Sequence, residues 1–314
     1  MTDQFKNQFK TPPYLKRGDT VAITCPAKNL PISIREAVKL LESWGLNVLL
    51  GETVGASWHQ FAGNDELRTN DFQRFLNDVN VKAIFAARGG YGTVRIIDRL
   101  DFSSFRNHPK WVVGFSDITV LHSHIQALYK TESIHGQMPL TIPEGSEFSL
   151  ESLRKTLFNE PLEYNYKSNI RNRPGSGSGI LIGGNLTLLV MMSGSVSDQD
   201  YTDKILFIED VGEYLYSIDR MMWNLKRSGK LDNLKGLIVG SFTEMKDSDI
   251  PFGFNAEQII MEHVKEFDYP VCFNFPAGHI ADNRALILGR KVSLQVEDYE
   301  AKMIYINNHS DNIR

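Results

Sequence analysis

The sequence predicts an α/β protein: a parallel, doubly wound sheet in the first half and a smaller, mixed α/β domain in the second. Two observations carry that prediction. Through residue 129, apolar runs of strand length alternate with amphipathic stretches of helical period, an order that builds parallel sheets. After residue 160 the chain turns to the Pro, Gly and Ser of NRPGSGSG, a composition typical of exposed connections. The expected units are therefore 1–165 and 178–314, joined by a linker over 166–177.

Each element follows from its local pattern. DTVAITCPA over 19–27 is a strand-like apolar run, SIREAVKLLESWG over 33–45 is an amphipathic helix ending on glycine, and NVLLG from residue 47 is strand again. The β-α-β order continues with a helix over 65–79, the strand VKAIFAA over 81–87, a helix over 93–100 and the strand WVVGF from residue 111. The next helix carries its apolar face at Ile118, Leu121, Ile125 and Leu128. A helix over 149–158 and the extended LEYNYKS lead into the linker. Beyond it come GILIGGNLTLLVMM, the strand KILFIED over 204–210, a helix over 214–228, the strand LKGLIVGSF, a helix over 255–267 and PVCFNFPAGH. The tail ALILGRKVSLQVED with KMIYIN reads as a hairpin with a longer loop.

Composition sets the compartment and excludes some partners. With 314 residues, 42% hydrophobic and 23% charged, the chain is long and apolar enough to bury the cores of two domains. A net charge of -4 provides no basic field for nucleic acid or an anionic membrane. The first residues lack the apolar core of a signal peptide, and no run is long enough to span a bilayer, so a cytoplasmic protein is expected. Cys25 and Cys272 lie far apart in apolar, strand-like runs, which points to buried free thiols. The assembly state is left open, with a homodimer among the options.

Polar residues at strand ends are the candidates for chemistry, because an open parallel sheet binds ligands at the carboxyl ends of its strands. Ser116 stands between a strand and a helix. Such a serine either caps the helix or, as in α/β-hydrolases, is lifted above the sheet as a nucleophile. Gly114 matches the usual hydrolase elbow on one side, and Ile118 replaces the glycine on the other. Glu209 and Asp210 end KILFIED, and alternation says only that they point to opposite faces. His279 ends PVCFNFPAGH. Together these residues supply Ser, acid and His in the chain order of the α/β-hydrolases. His135 in IHGQMP is a second possible base, whereas His122 and His124 diverge on one helix and make a poor metal pair. The loop RGGYG lacks both the P-loop lysine and the full dinucleotide-binding glycine spacing.

The stretches LKRGDTVAITCPA, AARGGYGTVRIIDRLDF, VGFSDITVLH, HGQMP, LIGGNLTLL, FIEDVGEYLYSIDRMMWNL and FPAGHIADNRALILG together resemble the LD-carboxypeptidases. These are serine peptidases of murein recycling, in a family that also includes the microcin C immunity hydrolases. The resemblance implies a flavodoxin-like N-terminal domain, a smaller C-terminal domain, and a Ser-Glu-His triad between them. Matched position by position, the triad is Ser116, Glu209 and His279.

From those assignments the remaining roles follow. The backbone N–H of Asp117, with one from Gly90, would bind the oxyanion. A cation should receive the terminal carboxylate, and the loops offer Arg88 and Arg284, of which Arg88 is favoured because it adjoins the oxyanion loop. No metal or cofactor is needed. The implied activity is release of D-Ala from a murein tetrapeptide. Hydrolysis of peptide-nucleotide or acyl-sulfamoyl-adenylate compounds is the alternative within the family, and non-catalytic binding of a small ligand is the alternative outside it.

Overall fold

The computed structural model describes residues 9–306. Its strands in chain order are β1 (Thr20–Thr24), β2 (Asn47–Leu50), β3 (Val81–Ala86), β4 (Trp111–Gly114), β5 (Ser133–His135), β6 (Glu163–Lys167), β7 (Gly175–Asn185), β8 (Lys204–Val211), β9 (Gly236–Thr243), β10 (Val271–Cys272), β11 (Leu286–Leu288), β12 (Lys291–Val296) and β13 (Glu300–Tyr305). They form a six-stranded sheet in the order β11-β5-β4-β3-β1-β2 and a seven-stranded sheet in the order β10-β9-β8-β7-β12-β13-β6.

In the first sheet β2, β1, β3, β4 and β5 run parallel, and β11 joins antiparallel at the β5 edge. The order 2-1-3-4-5 is the flavodoxin-like arrangement, whose switch point lies between β1 and β3. Strands β3 and β4 are buried nearly end to end, as expected of parallel strands covered on both faces. The second sheet is mixed: β10, β9, β8 and β7 are parallel, while β12, β13 and β6 continue it antiparallel. One core runs through both halves, with Val112, Leu121 and Ile125 of the first packed in the same cluster as Leu186, Leu206 and Leu237 of the second.

Three sequence expectations need correction. The helix expected over 93–100 is two short 3₁₀ turns, Thr93–Arg95 and Ile97–Arg99. Its first N–H, that of Thr93, is taken by the Asp117 carboxylate at 2.9 Å, which ties the segment to the loop after β4. The expected linker over 166–177 carries the end of β6 and the start of β7; its glycines are paired in register with β12, Gly175 opposite Val296 and Gly177 opposite Leu294. The tail hairpin is present as β12 and β13, but ALIL leaves it to become β11 in the other sheet, with Leu286 opposite His135. Cys25 and Cys272 are free and buried, and burial pushes both thiols up to about 12.

Candidate active site

Ser116 follows β4 after one intervening residue, Phe115, and opens a 3₁₀ turn, Ser116–Ile118, that runs into the helix Thr119–His124. Its φ is +63°, left-handed backbone that a side chain rarely adopts. Strain of that kind is retained only where surrounding structure imposes it, and it is the conformation of a nucleophile elbow. Ser116 does not occupy a capping position: the N-cap of the 3₁₀ turn is Phe115 and that of the following helix is Ile118.

The turn is fixed from two sides. Asp117 is buried, and its carboxylate accepts from Thr93 N–H at the end of the RGGYG loop. Burial raises the Asp117 pKa, while hydrogen bonds from Thr93 and Gly92 and the charge of Arg68 oppose the rise. The buried Arg68 guanidinium donates to Pro26 O at 2.6 Å and Gly92 O at 2.9 Å, clamping the loops after β1 and β3 together. On the other side Asn185 N–H, at the end of β7, donates to Thr119 Oγ at 3.0 Å. Asn185 is also the register partner of Glu209, so this bond links the Ser116 turn to the strand that carries Glu209.

Glu209 and Asp210 separate as alternation requires. Asp210 is consumed by structure: its carboxylate accepts from Asn185 Nδ2 and Val211 N–H on one oxygen, and from Thr187 N–H and Oγ–H on the other. Glu209 is fully buried, and its Oε2 accepts from His279 Nδ1–H at 2.7 Å. The pairing of β8 with β9 slips between Ile208 and Asp210, placing an irregularity at Glu209, as bulges often do beside functional sites.

His279 owes its position to Gly278. That glycine has φ +116°, and a Cβ there would strike Ser241 Oγ and lie 2.9 Å from Glu209 Oε2. Gly278 N–H donates to Asn283 Oδ1 at 2.9 Å, and Ser241 N–H donates to Ala277 O at 2.9 Å, so the loop is bolted to β9. With Nδ1–H committed to Glu209, a neutral His279 presents the lone pair of Nε2. Burial alone would lower its pKa, but Glu209, by charge and hydrogen bond, and Asp210 and Glu244 by charge, leave it above the ordinary histidine value. The imidazole sits edge-on against Phe115, ring centroids 4.9 Å apart, in contact with the residue that precedes Ser116.

His135, the other possible base, is fully buried between Phe115 and Phe207. Burial, reinforced by His122 and His279, holds its pKa well below the usual value, so it stays neutral and out of reach of substrate.

The remaining predicted residues surround Ser116 in different ways. Asp117 N–H lies in the first turn of the 3₁₀ segment, where amides lack intrahelical acceptors. Gly90 has φ +104° and lies beneath the Lys28 side chain, while its neighbour Gly89 is the one packed on the serine: a Cβ on Gly89 would sit 3.1 Å from Ser116 Cβ and 3.3 Å from Oγ. Arg88 donates to Asn29 O at 2.6 Å. Arg284 turns onto Asp282, with Nη2 to Oδ2 at 2.9 Å, and its guanidinium covers Phe148. Among the described residues no group of three or more His, Cys, Asp or Glu could hold a metal ion. Sequence reasoning passed over Gly89, Gly278, Asn185 and Asn283. The glycines act through backbone geometry, Asn185 through a bond to Thr119 66 positions away, and Asn283 through a loop bond to Gly278 5 positions away.

Known proteins share this fold. A family model described as LD-carboxypeptidase N-terminal domain matches residues 21–136, and one described as LD-carboxypeptidase C-terminal domain matches residues 178–294. The chain is 33% identical over 313 residues to the "Probable murein peptide carboxypeptidase" of Bacillus subtilis, covering 96% of each chain. It is 30% identical over 290 residues to the murein tetrapeptide carboxypeptidase of Pseudomonas aeruginosa, covering 88% of this chain and 92% of that one. The crystal structure of muramoyltetrapeptide carboxypeptidase from Oxalobacter formigenes superimposes with a TM-score of 0.82 at 30% identity, covering 92% of this chain and 99% of that one. The microcin C7 self immunity protein MccF in complex with aspartyl sulfamoyl adenosine has the same fold, with a TM-score of 0.85 at 21% identity and coverage of 96% and 99%.

Proposed function

The chain belongs to the LD-carboxypeptidase family, and from that membership we propose that it is a serine carboxypeptidase cleaving the amide between an L-configured centre and a terminal D-amino acid. The substrate proposed is a murein tetrapeptide, and the product D-Ala. The observation that carries this reading is the bond from His279 Nδ1–H to the buried Glu209 carboxylate, with the same imidazole packed on Phe115, the residue that precedes the left-handed Ser116. Simple binding of a small ligand would not require such a pair.

The chemistry assigned to each group follows. His279 Nε2 takes the proton of Ser116 as its oxygen attacks the scissile carbonyl. Glu209 holds the imidazole in the productive tautomer and stabilises the imidazolium. The oxyanion is received by backbone N–H groups, that of Asp117 and one from the Gly89-Gly90 loop, which are fixed before the reaction begins. His279 then returns the proton to the leaving amine of D-Ala, and water resolves the acyl-serine by the reverse sequence.

A second reading, hydrolysis of a peptide-nucleotide, draws support from one feature. Trp58 is half exposed and stacks on Phe61 at 6.2 Å, and Phe61 in turn contacts Tyr91 of the RGGYG loop at 6.1 Å. A nucleobase could stack on that shelf. Trp223 instead stands edge-on to His263 on the helix pair of the second half. Assay of D-Ala release from murein tetrapeptide beside hydrolysis of a peptidyl-adenylate panel decides between the two: preference for the tetrapeptide by kcat/KM supports the main reading, and preference for the adenylates replaces it.

A further inference from the structure

We propose that Lys28 receives the terminal carboxylate of the substrate and is the residue that makes this protein an exopeptidase. The inference rests on the carboxypeptidase reading above. An enzyme that removes a single terminal residue must distinguish a free carboxylate from a continuing chain, and a buried carboxylate without a cation or donors is costly.

Arg284, Arg88 and Lys28 stand on loops beside the candidate site. Arg284 is held by Asp282 and packed over Phe148. Arg88 is half-buried and reaches back to Asn29 O, where it braces the loop after β1. Lys28 differs from both. Its ammonium has no hydrogen bond or ion pair among the described residues, and its stem is laid across the RGGYG loop: Cγ, Cδ and Cε fall 2.8, 2.5 and 3.2 Å from where a Cβ on Gly90 would be. Only glycine at that position leaves room for the lysine. The preceding residue, Gly89, is the one whose Cβ position lies 3.3 Å from Ser116 Oγ. The stem therefore crosses the backbone that packs on the nucleophile.

The backbone at the base of the lysine is hydrogen-bonded, while its ammonium has no partner among the described residues. Lys28 N–H donates to Gly89 O at 3.4 Å, Ala27 O accepts from Ala62 N–H at 3.1 Å, and Pro26 O accepts from Arg68. This segment is the loop after β1, beside the loop after β3, at the switch point where an open sheet of this order binds ligands. The carboxylate of a one-residue leaving group lies about 3.8 Å, one residue, beyond the scissile carbonyl, a span suited to a cation one loop away from the serine. A compact ammonium on a flexible stem can follow that carboxylate out as the product departs, which a guanidinium locked in a bidentate pair cannot.

The experiment measures kcat/KM on the tetrapeptide free acid and on its C-terminal amide for wild type, K28M, K28R and R88M, with thermal melts as the folding control. The expected result is that K28M loses roughly 10²-fold or more on the free acid, mainly through KM, loses little on the amide, and is largely rescued by K28R. Equal loss on both substrates, no loss, or selectivity that falls in R88M instead of K28M overturns the assignment to Lys28. Failure of the wild type to release D-Ala from the free acid would overturn the carboxypeptidase reading itself, a separate outcome visible before any variant is made.

Discussion

Glu209 Oε2 lies 2.7 Å from His279 Nδ1, joining residues 70 positions apart and leaving Nε2 as the imidazole's free face. Because Glu209 and its neighbours raise the His279 pKa against the effect of burial, and because the base must be neutral to act, the acid limb of kcat/KM should lie above the ordinary histidine value of 6.5. Glu209→Gln removes the largest upward cause, so the limb should move to lower pH. Activity at the plateau should fall by roughly 10⁴, the scale seen when a triad carboxylate is neutralised. A pH–rate profile of the variant checks both, and a limb that stays in place would detach Glu209 from the titration.

Gly278→Ala tests how that pair is positioned. The added methyl meets Ser241 Oγ and Glu209 Oε2, and the backbone must hold φ +116° with a side chain. We expect a stability loss of about 1–3 kcal/mol from the backbone alone, and a fall in kcat larger than that loss explains, since the imidazole is displaced from its partner. Thermal melts with steady-state kinetics read the two separately. The double variant with Ser241→Ala relieves one contact but not the strained φ, so its stability should recover only in part.

His135→Gln addresses the rival base. His135 is fully buried, tilted against Phe115 and edge-on to Phe207, so the change should cost stability yet leave the acid limb unmoved and kcat within roughly tenfold. Loss of the limb in this variant would make His135 the titrating group.

The alternation of strands and helices was legible over most of the first 129 residues, and it failed over 93–107, where two 3₁₀ turns and the short helix Ser103–Asn107 span too few residues to show a period. Two features were hidden for opposite reasons. β7 begins in Gly-Ser-Gly-Ser, where small residues mimic a linker although their backbone is fully paired with β12. β11 looks like the first arm of the tail hairpin, and nothing in ALIL says that it will cross to the other sheet. At the site, Ser116, Glu209 and His279 stood out as polar residues ending apolar runs. The choice of Glu209 over Asp210 needed geometry, because alternation separates the two without saying which face holds the histidine. Asn185 has a local role as the N-cap of the helix Leu186–Met191, but the bond that ties its backbone to Thr119 across 66 positions has no local signal.

Whether Ser116 is a nucleophile served by His279 is decided by Ser116→Ala, shown to be folded by circular dichroism and assayed for D-Ala release from murein tetrapeptide. Alanine at a left-handed position keeps the strained backbone but removes the attacking oxygen, so the account predicts a folded protein with kcat lowered on the order of 10⁴ to 10⁶. Turnover within tenfold of wild type would contradict it.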